Sequence, residues 1–376
     1  MKSRQMKVAL VHDLLTQYGG AESVLEAIVE MFPHAPIYTL IYDSKKMGRS
    51  FADKKIITSF LQNKPLAVKK YRWYLPWMPQ AIESFDLSQY DLVISDASAF
   101  AKGVITLPST LHICYCHTPT RYLWNDTFEY IKTSKIPWPA SMLVSKTINY
   151  LRIWDYQSAY RPDLFIANSN YTKSRIKKFY RRKSDIIYPF VEDDRFTYCP
   201  NKKQYYLMTG RLVPYKRYDI AIRAFNKMPD KKLIVAGDGV MFDHLKGMIK
   251  GDNIVMLGRV SEKKLNNLYQ HAKGYIFTAD EDFGITPLEA MICGTPVIAF
   301  AKGGALETVI DNTTGTYFYN QTADSIIKAI SKFEKMNFDF LKISKHARKF
   351  SKDNFKKQFT SYINKQYQQY HNLKRS

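Results

Sequence analysis

From Tyr205 to about Lys332 the chain alternates short apolar runs with amphipathic stretches. The runs Tyr205–Thr209, Lys232–Ala236, Ile254–Leu257, Gly274–Thr278 and Val297–Phe300, with a short segment near Tyr317, predict strands. Between and after them, Asp219–Met228, Val240–Lys250, Glu262–His271, Pro287–Ile292, Ala305–Ile310 and Asp324–Phe333 carry helical spacing. Strands that alternate with helices build βαβ units on a parallel sheet. Glycines follow several strands: Gly210, Gly237 and Gly239, Gly258, Gly284, Gly303 and Gly304. Those turns fall on one edge of the sheet, where open α/β sheets bind ligands.

The first half follows the same pattern with looser spacing. Lys7–Val11 predicts a strand, and Ala21–Met31 an amphipathic helix with Val24, Leu25, Ile28 and Val29 on one face. Ile37–Ile41, Leu92–Ser95, Leu111–Tyr115 and Leu164–Ala167 predict further strands. Tyr171–Tyr180 predicts a helix capped by Ser169 or Asn170, and Asp185–Tyr188 closes the half. The stretch from Pro189 to about Lys203 reads as a boundary, giving an expected N-terminal domain over 1–190 and a C-terminal domain over 191–351. In the tail, 352–376, Phe355, Phe359, Tyr362, Ile363 and Tyr367 recur at helical spacing, and a helix with such a stripe must dock on something. Packing back on the N-terminal domain is one expectation.

Composition narrows the class. At 376 residues, 45% hydrophobic and 24% charged, the chain can bury sizeable cores and is not a disordered one. No apolar run approaches the roughly 18 residues of a membrane span. Val8–Val11 is broken by His12-Asp13, so it predicts a first strand and not a signal peptide. Cys114, Cys116, Cys199 and Cys293 lack metal-ligand spacing and read as reduced thiols, which favours a cytoplasmic chain. The balance of 56 basic against 34 acidic residues, +22, asks for an acidic partner. Nucleic acid, anionic lipid and nucleotide-sugar phosphates all qualify, although an AT-rich genome also enriches lysine. No nucleic-acid recognition motif is present, so nucleic acid is not expected. Lys64 to Phe85 mixes Lys69, Lys70 and Arg72 with Trp73, Tyr74, Leu75, Trp77 and Met78, which suits a membrane surface. A second basic run holds Lys173, Arg175, Lys177, Lys178, Arg181, Arg182 and Lys183. A solvated basic face is the alternative explanation of both.

Candidate chemistry clusters at the strand ends. Arg211 and Lys216 follow the first strand of the second half, and a guanidinium fork with an ammonium makes a clamp for a diphosphate. Ala236-Gly237-Asp238-Gly239 and Gly258-Arg259 follow the next two strands, where glycine lets a ligand approach the backbone. Then comes Glu281-Asp282-Phe283-Gly284-Ile285-Thr286-Pro287-Leu288-Glu289, a loop that opens onto a helix N-terminus. Thr286, Pro287 and Glu289 also match a capping box, with Thr286 as N-cap, so Glu289 has a structural explanation that Glu281 lacks. In the first half, His12-Asp13 precedes Gly19-Gly20-Ala21-Glu22 at a strand–helix junction, and His117 to Tyr122 ends another strand.

Taken together, this order of motifs resembles the family 4 glycosyltransferases, retaining enzymes that use nucleotide-sugar donors. The resemblance is clearest from Tyr205 to Val309 and extends over His12–Leu25, Tyr115–Trp124 and Ile166–Ile176. The His12, Gly19-Gly20 and His117 segments look most like the mannosyltransferase branch that builds bacterial O-antigen and exopolysaccharide repeats. The resemblance implies a GT-B architecture, α/β, with two Rossmann-like doubly wound domains facing across a cleft. It implies that Arg211, Lys216, Glu281 and His117 act on the reacting donor. Gly19, Gly20, Gly210, Gly237, Arg259, the backbone at Phe283, Gly284 and Ile285, and Glu289 would seat the donor, with Glu289 on the ribose. The implied reaction passes through an oxocarbenium-like state in which the departing phosphate takes the acceptor proton. Mannose from GDP-mannose is the implied donor group, and a lipid-linked or cell-surface glycan at the cytoplasmic face of the membrane is the expected acceptor. No Asp-x-Asp metal loop is read at the donor site, so neither metal nor other cofactor is expected. A UDP-sugar donor, or an epimerase or phosphorylase on a related two-domain fold, remains as an alternative.

Overall fold

Short runs of branched and aromatic residues build the two sheets, several of them buried along their whole length. In β1 (Val8–His12), β4 (Leu92–Ala97) and β5 (Leu111–Cys116) every position is buried. Such runs belong to parallel sheets covered on both faces. The computed structural model describes residues 6–48, 50–125, 127 and 138–373. Residues 1–5 and the expected helix end at 374–376 lie outside these. Among the described residues, β2 (Ile37–Thr39), β3 (Ile56–Thr58), β6 (Leu164–Ala167) and β7 (Asp185–Ile186) complete a seven-stranded sheet of order β3-β2-β1-β4-β5-β6-β7. The second sheet holds β8 (Tyr205–Thr209), β9 (Lys232–Ala236), β10 (Ile254–Met256), β11 (Gly274–Phe277), β12 (Val297–Phe300) and β13 (Gly315–Phe318) in the order β10-β9-β8-β11-β12-β13. All pairings between these strands are parallel. In each sheet the order reverses at the first strand of the unit, the switch point of a doubly wound fold.

The chain divides into two compact units. One holds everything up to Tyr188 together with Lys356 onward, and the other is Pro189–Phe355. The C-terminal helix, Lys352–Leu373, contributes mainly to the first unit. There Phe359 and Ile363 are buried, Tyr362 donates to Asp185 at 2.9 Å and Tyr370 donates to the Pro108 carbonyl at 2.8 Å.

The elements differ from the sequence expectation mostly at their ends. The helix expected over Tyr171–Tyr180 is an α-helix, Asn170–Arg175, that widens into a π-turn over Ile176–Tyr180. Ser169 caps it, accepting from the Thr172 N–H at 3.0 Å. β3 and the 21-residue helix Trp138–Ser158 were not expected. β3 is only three half-buried residues, and the helix has weak segregation of apolar positions. Among the described residues no helix is long and apolar enough to cross a membrane.

Candidate active site

In the second unit the turns after β8, β9 and β11 bring the site residues to one sheet edge. Lys216 ends a 3₁₀ turn, Pro214–Lys216, and its carbonyl accepts from the Thr278 hydroxyl at 2.5 Å, just beyond β11. Its Nζ lies 2.9 Å from Glu281 Oε1, with the two side chains 13% and 17% exposed. Burial disfavours the ammonium, but the Glu281 carboxylate outweighs it and holds Lys216 above the ordinary lysine value. Gly210, at φ +123°, leaves the space: a Cβ there would stand 3.2 Å from Nζ.

The Glu281 loop is held from the next strand end. Gly304 N–H donates to the Glu281 carbonyl at 2.9 Å, and a Cβ on Gly304 would come within 2.2 Å of Phe283 Cα. Only glycine permits this approach. Asp280 and Asp282 flank Glu281 with the Asp-x-Asp spacing, so the loop does carry that pattern, contrary to the sequence reading. Asp280 Oδ2 lies 2.9 Å from Lys302 Nζ. Among the described residues no three His, Cys, Asp or Glu side chains are gathered to hold a metal.

The capping-box reading of Glu289 is corrected. The helix runs Ile285–Ile292 from Gly284, at φ +83°, with no side-chain cap. The helix opens at Ile285, two residues before Pro287, which leaves Thr286 inside the first turn and Glu289 in the second. Glu289 Oε2 instead accepts from the Tyr269 hydroxyl at 2.6 Å, and that hydroxyl sits 2.5 Å from Thr209 Oγ1 at the end of β8. Burial pushes the Glu289 carboxyl up, opposed by Tyr269 and then by Arg195 and Lys216. The N–H groups that open a helix have no intrahelical partner, which leaves the Ile285 end suited to an anion or hydroxyl.

Gly237, at φ +158°, packs so closely that a Cβ would lie 1.9 Å from the Gly210 carbonyl, and its N–H donates to the Gly258 carbonyl at 2.9 Å. The turns after β8, β9 and β10 are therefore stacked. Arg211 and Arg259 are exposed on them. Lys216 and Glu281 are brought into direct contact, whereas Glu289 takes its hydrogen bond from Tyr269 and feels Lys216 only through its charge.

The first unit carries a second cluster, also at strand ends. Gly19 is the N-cap of the helix Gly20–Met31. His12 ends β1, Asp96 stands opposite it on β4, and His117 follows β5. One buried carboxylate serves both rings: Asp96 Oδ2 lies 2.8 Å from His12 Nδ1, and Oδ1 lies 2.6 Å from His117 Nε2. Glu22 Oε1 is 3.7 Å from His12 Nε2. Burial lowers the His12 value, but Asp96 and Glu22 overcome it and raise it to about 10. Burial likewise opposes the Asp96 carboxylate, yet His117 and His12 hold it below the usual range. Asp13 accepts from four backbone N–H groups, at Ser98, Ala99, Phe100 and Ala101, at 2.6–2.8 Å, and so ties the loop after β4 to β1.

A third buried network surrounds Asp155. Its carboxylate accepts from Lys102 Nζ at 2.5 Å, Thr120 Oγ1 at 2.7 Å, Trp124 Nε1 at 2.7 Å and Tyr180 OH at 2.9 Å. It anchors the segment that follows His117. Asp96, Asp155 and Tyr269 were not singled out from the sequence. For Asp96 a signal existed: an acid in the apolar run Leu92–Ala97 calls for a buried partner. The second basic run is partly structural, since Arg175 is buried and donates to Asn125 Oδ1 at 2.9 Å, and Arg182 donates to the Pro162 carbonyl at 2.8 Å.

Two family comparisons match in tandem. Glycosyltransferase Family 4 matches residues 18–195, and Glycosyl transferases group 1 matches residues 191–357. The chain is similar to the alpha-1,3/1,6-mannosyltransferase ALG2 of Candida glabrata, 24% identical over 86% of this chain and 83% of that protein. It is 30% identical to the GDP-mannose-dependent alpha-(1-6)-phosphatidylinositol monomannoside mannosyltransferase of Mycolicibacterium smegmatis, over 43% of this chain and 50% of that one. Among solved structures, Anabaena HepE in complex with UDP superposes with a TM-score of 0.69 at 18% identity, covering 96% of this chain and all of that one, a likeness of fold. With matches that together run from residue 18 to 357, on two doubly wound units, the chain belongs to the family 4 glycosyltransferases of the GT-B fold.

Proposed function

We propose that this glycosyltransferase moves mannose from GDP-mannose, with retention of anomeric configuration, to a lipid-linked or cell-surface glycan of the kind assembled into bacterial polysaccharide. The observation that carries the donor reading is the Lys216–Glu281 contact at the sheet edge of the second unit, with Glu289 in the helix behind it. In this reading Arg211 and Lys216 hold the diphosphate and offset charge on the leaving group. Glu281 receives the sugar hydroxyls and Glu289 the ribose hydroxyls, while the backbone at Phe283, Gly284 and Ile285 seats the sugar. Gly210, Gly237 and Arg259 border the nucleotide. Gly19 and Gly20 present helix N–H groups to phosphate, and His117 stabilises positive character at the anomeric carbon. Catalysis then rests on positioning and electrostatics and needs no metal. The mannosyltransferases among the relatives favour mannose, and the GDP-mannose dependence of the mycobacterial one favours guanine.

A UDP-sugar is the second reading, favoured by the UDP and UDP-glucose complexes of the Anabaena neighbour. A thermal-shift screen of GDP, UDP and ADP sugars decides between them, and selective stabilisation by a UDP-sugar overturns the mannose reading. Activity that survives EDTA supports metal independence; loss restored by added cation overturns it. As a site test, Glu281→Ala should lose turnover while keeping its melting temperature.

The acceptor reading includes a peripheral membrane location. Between Asp53 and Glu83 the sequence has six cations and no acid. Trp73 and Trp77 are 61% and 51% exposed, and Lys70 Nζ lies 4.1 Å over the Trp73 ring. Met78, expected with them, is buried and belongs to the core. Flotation with liposomes tests this part: equal, negligible binding with and without anionic lipid rejects it.

A further inference from the structure

We infer that the Lys216–Glu281 ion pair makes the donor site discriminate between an intact nucleotide-sugar and the nucleoside diphosphate left after transfer. The inference rests on the donor reading above. The ammonium of Lys216 has Glu281 Oε1 at 2.9 Å on one side and the Gly210 turn on another. Both side chains are mostly withdrawn from water, so their attraction exceeds that of a surface pair. A diphosphate that seats on Lys216 is a second anion competing for the same ammonium. Glu281 then stands beside phosphate as a mostly buried carboxylate that has lost its cation, and both effects disfavour binding.

The backbone gives Glu281 no easy retreat. Its carbonyl is bonded to Gly304 N–H, and a Cβ on Gly303 would lie 2.2 Å from that carbonyl oxygen. What relieves the penalty must come from the ligand. A sugar on the diphosphate offers hydroxyl donors to the carboxylate and replaces the lost N–H. A nucleoside diphosphate has no sugar beyond its terminal phosphate and offers no hydroxyl there. Glu281 therefore favours donor binding and opposes product binding, so the two ligands respond to its removal with opposite sign. The neighbouring carboxylate supplies a control. Asp280 carries the same charge one residue away but pairs with Lys302 at 2.9 Å. A general electrostatic effect would appear at either position, whereas an exchange at Lys216 belongs to Glu281 alone.

The test is calorimetric titration of the full chain with GDP and with GDP-mannose, for wild type, Glu281→Gln, Glu281→Ala and Asp280→Asn. Melting temperatures establish that each variant is folded, and either Glu281 variant suffices. Loss of the carboxylate should tighten GDP about 5- to 20-fold and leave GDP-mannose unchanged or weaker, so the preference for donor over product falls about fivefold or more. Asp280→Asn should shift both ligands together, within about twofold of each other. The inference is overturned if GDP binds no tighter to either Glu281 variant, or if Asp280→Asn reproduces the change in preference. Should wild type bind neither guanine ligand, the GDP-mannose reading fails by itself, and the same comparison with UDP and UDP-glucose then decides the inference.

Discussion

Asp96→Asn isolates the charge that links His12 and His117. His12 rises from 6.5 to about 10 because Asp96 and Glu22 outweigh its burial. A folded value above the unfolded one means stability that is complete below pH 6.5 and is lost as pH climbs through 10. The folded protein holds one more proton than the unfolded chain across that window, so unfolding free energy should fall by about 1.4 kcal/mol per pH unit. Integrated over the window this amounts to roughly 3–5 kcal/mol. Asp96 is displaced the other way, so its contribution is present above 3.8 and fades as pH falls below it. Both limbs express one pair interaction, which is counted once. Asp96→Asn should therefore destabilise by about 3–5 kcal/mol at pH 7, because the His12 imidazolium is left buried with only Glu22, 3.7 Å away. It should also flatten the profile between pH 7 and 9. That window avoids His112, whose burial lowers it to about 3 and whose effect on stability falls below pH 6.5. Urea unfolding followed by tryptophan fluorescence is the assay, with linear extrapolation. All five tryptophans, Trp73, Trp77, Trp124, Trp138 and Trp154, lie in the first unit, so the signal reports the unit that holds Asp96. A variant that keeps the wild-type slope between pH 7 and 9 refutes the reasoning.

Tyr269→Phe removes the hydroxyl that fixes one oxygen of Glu289, and we expect donor KM to rise several-fold with kcat held within about twofold. Steady-state kinetics check this, and a fall in kcat at unchanged KM would mean that Tyr269 does not act through Glu289. Gly304→Ala forces a Cβ to within 2.2 Å of Phe283 Cα, so the Glu281 loop must shift. Turnover should drop at least about tenfold, since an ångström-scale displacement of a positioning group has that effect; wild-type rates would show that the loop accommodates the methyl. Lys102→Met leaves Asp155 charged among neutral donors and should cost about 3–5 kcal/mol by the same fluorescence assay. Adding Asp155→Asn should recover part of that loss, and a double variant less stable than Lys102→Met would show that packing, not charge, dominates.

Much of the second unit was legible because its signals are local. Each strand is a short apolar run, each helix has a single apolar face, and Gly210, Gly237 and Gly304 mark turns where a Cβ would crowd or collide with a neighbouring group. The pairing of Lys216 with Glu281 was half legible: both residues stood out, but their contact joins positions 65 apart in sequence, which only the β8–β11 adjacency creates. The same limit hid Asp96, whose role depends on β4 lying between β1 and β5. It also hid Asp155, whose partners come from Lys102, Thr120, Trp124 and Tyr180. The capping-box error arose differently. Thr286 to Glu289 satisfies the local pattern, but Gly284 at positive φ begins the helix earlier, and no four-residue motif encodes where the preceding loop turns.

That shift changes how the two glutamates divide their work. A capping carboxylate would have been bound to its own helix backbone. Glu289 is bound to a tyrosine from another helix, and through Thr209 to the end of β8, so its partner is neutral and buried and does not compete with an anionic ligand. Glu281 is bound to the one ammonium that a diphosphate also seeks. A ligand can therefore add to Glu289 without displacing anything, whereas it reaches Lys216 only by exchange. In the proposed reaction, ribose recognition at Glu289 is present in donor and product alike and cannot separate them. The contact that distinguishes the two must be the exchangeable one, and this places selectivity at Glu281 even if both carboxylates contribute equally to holding the donor.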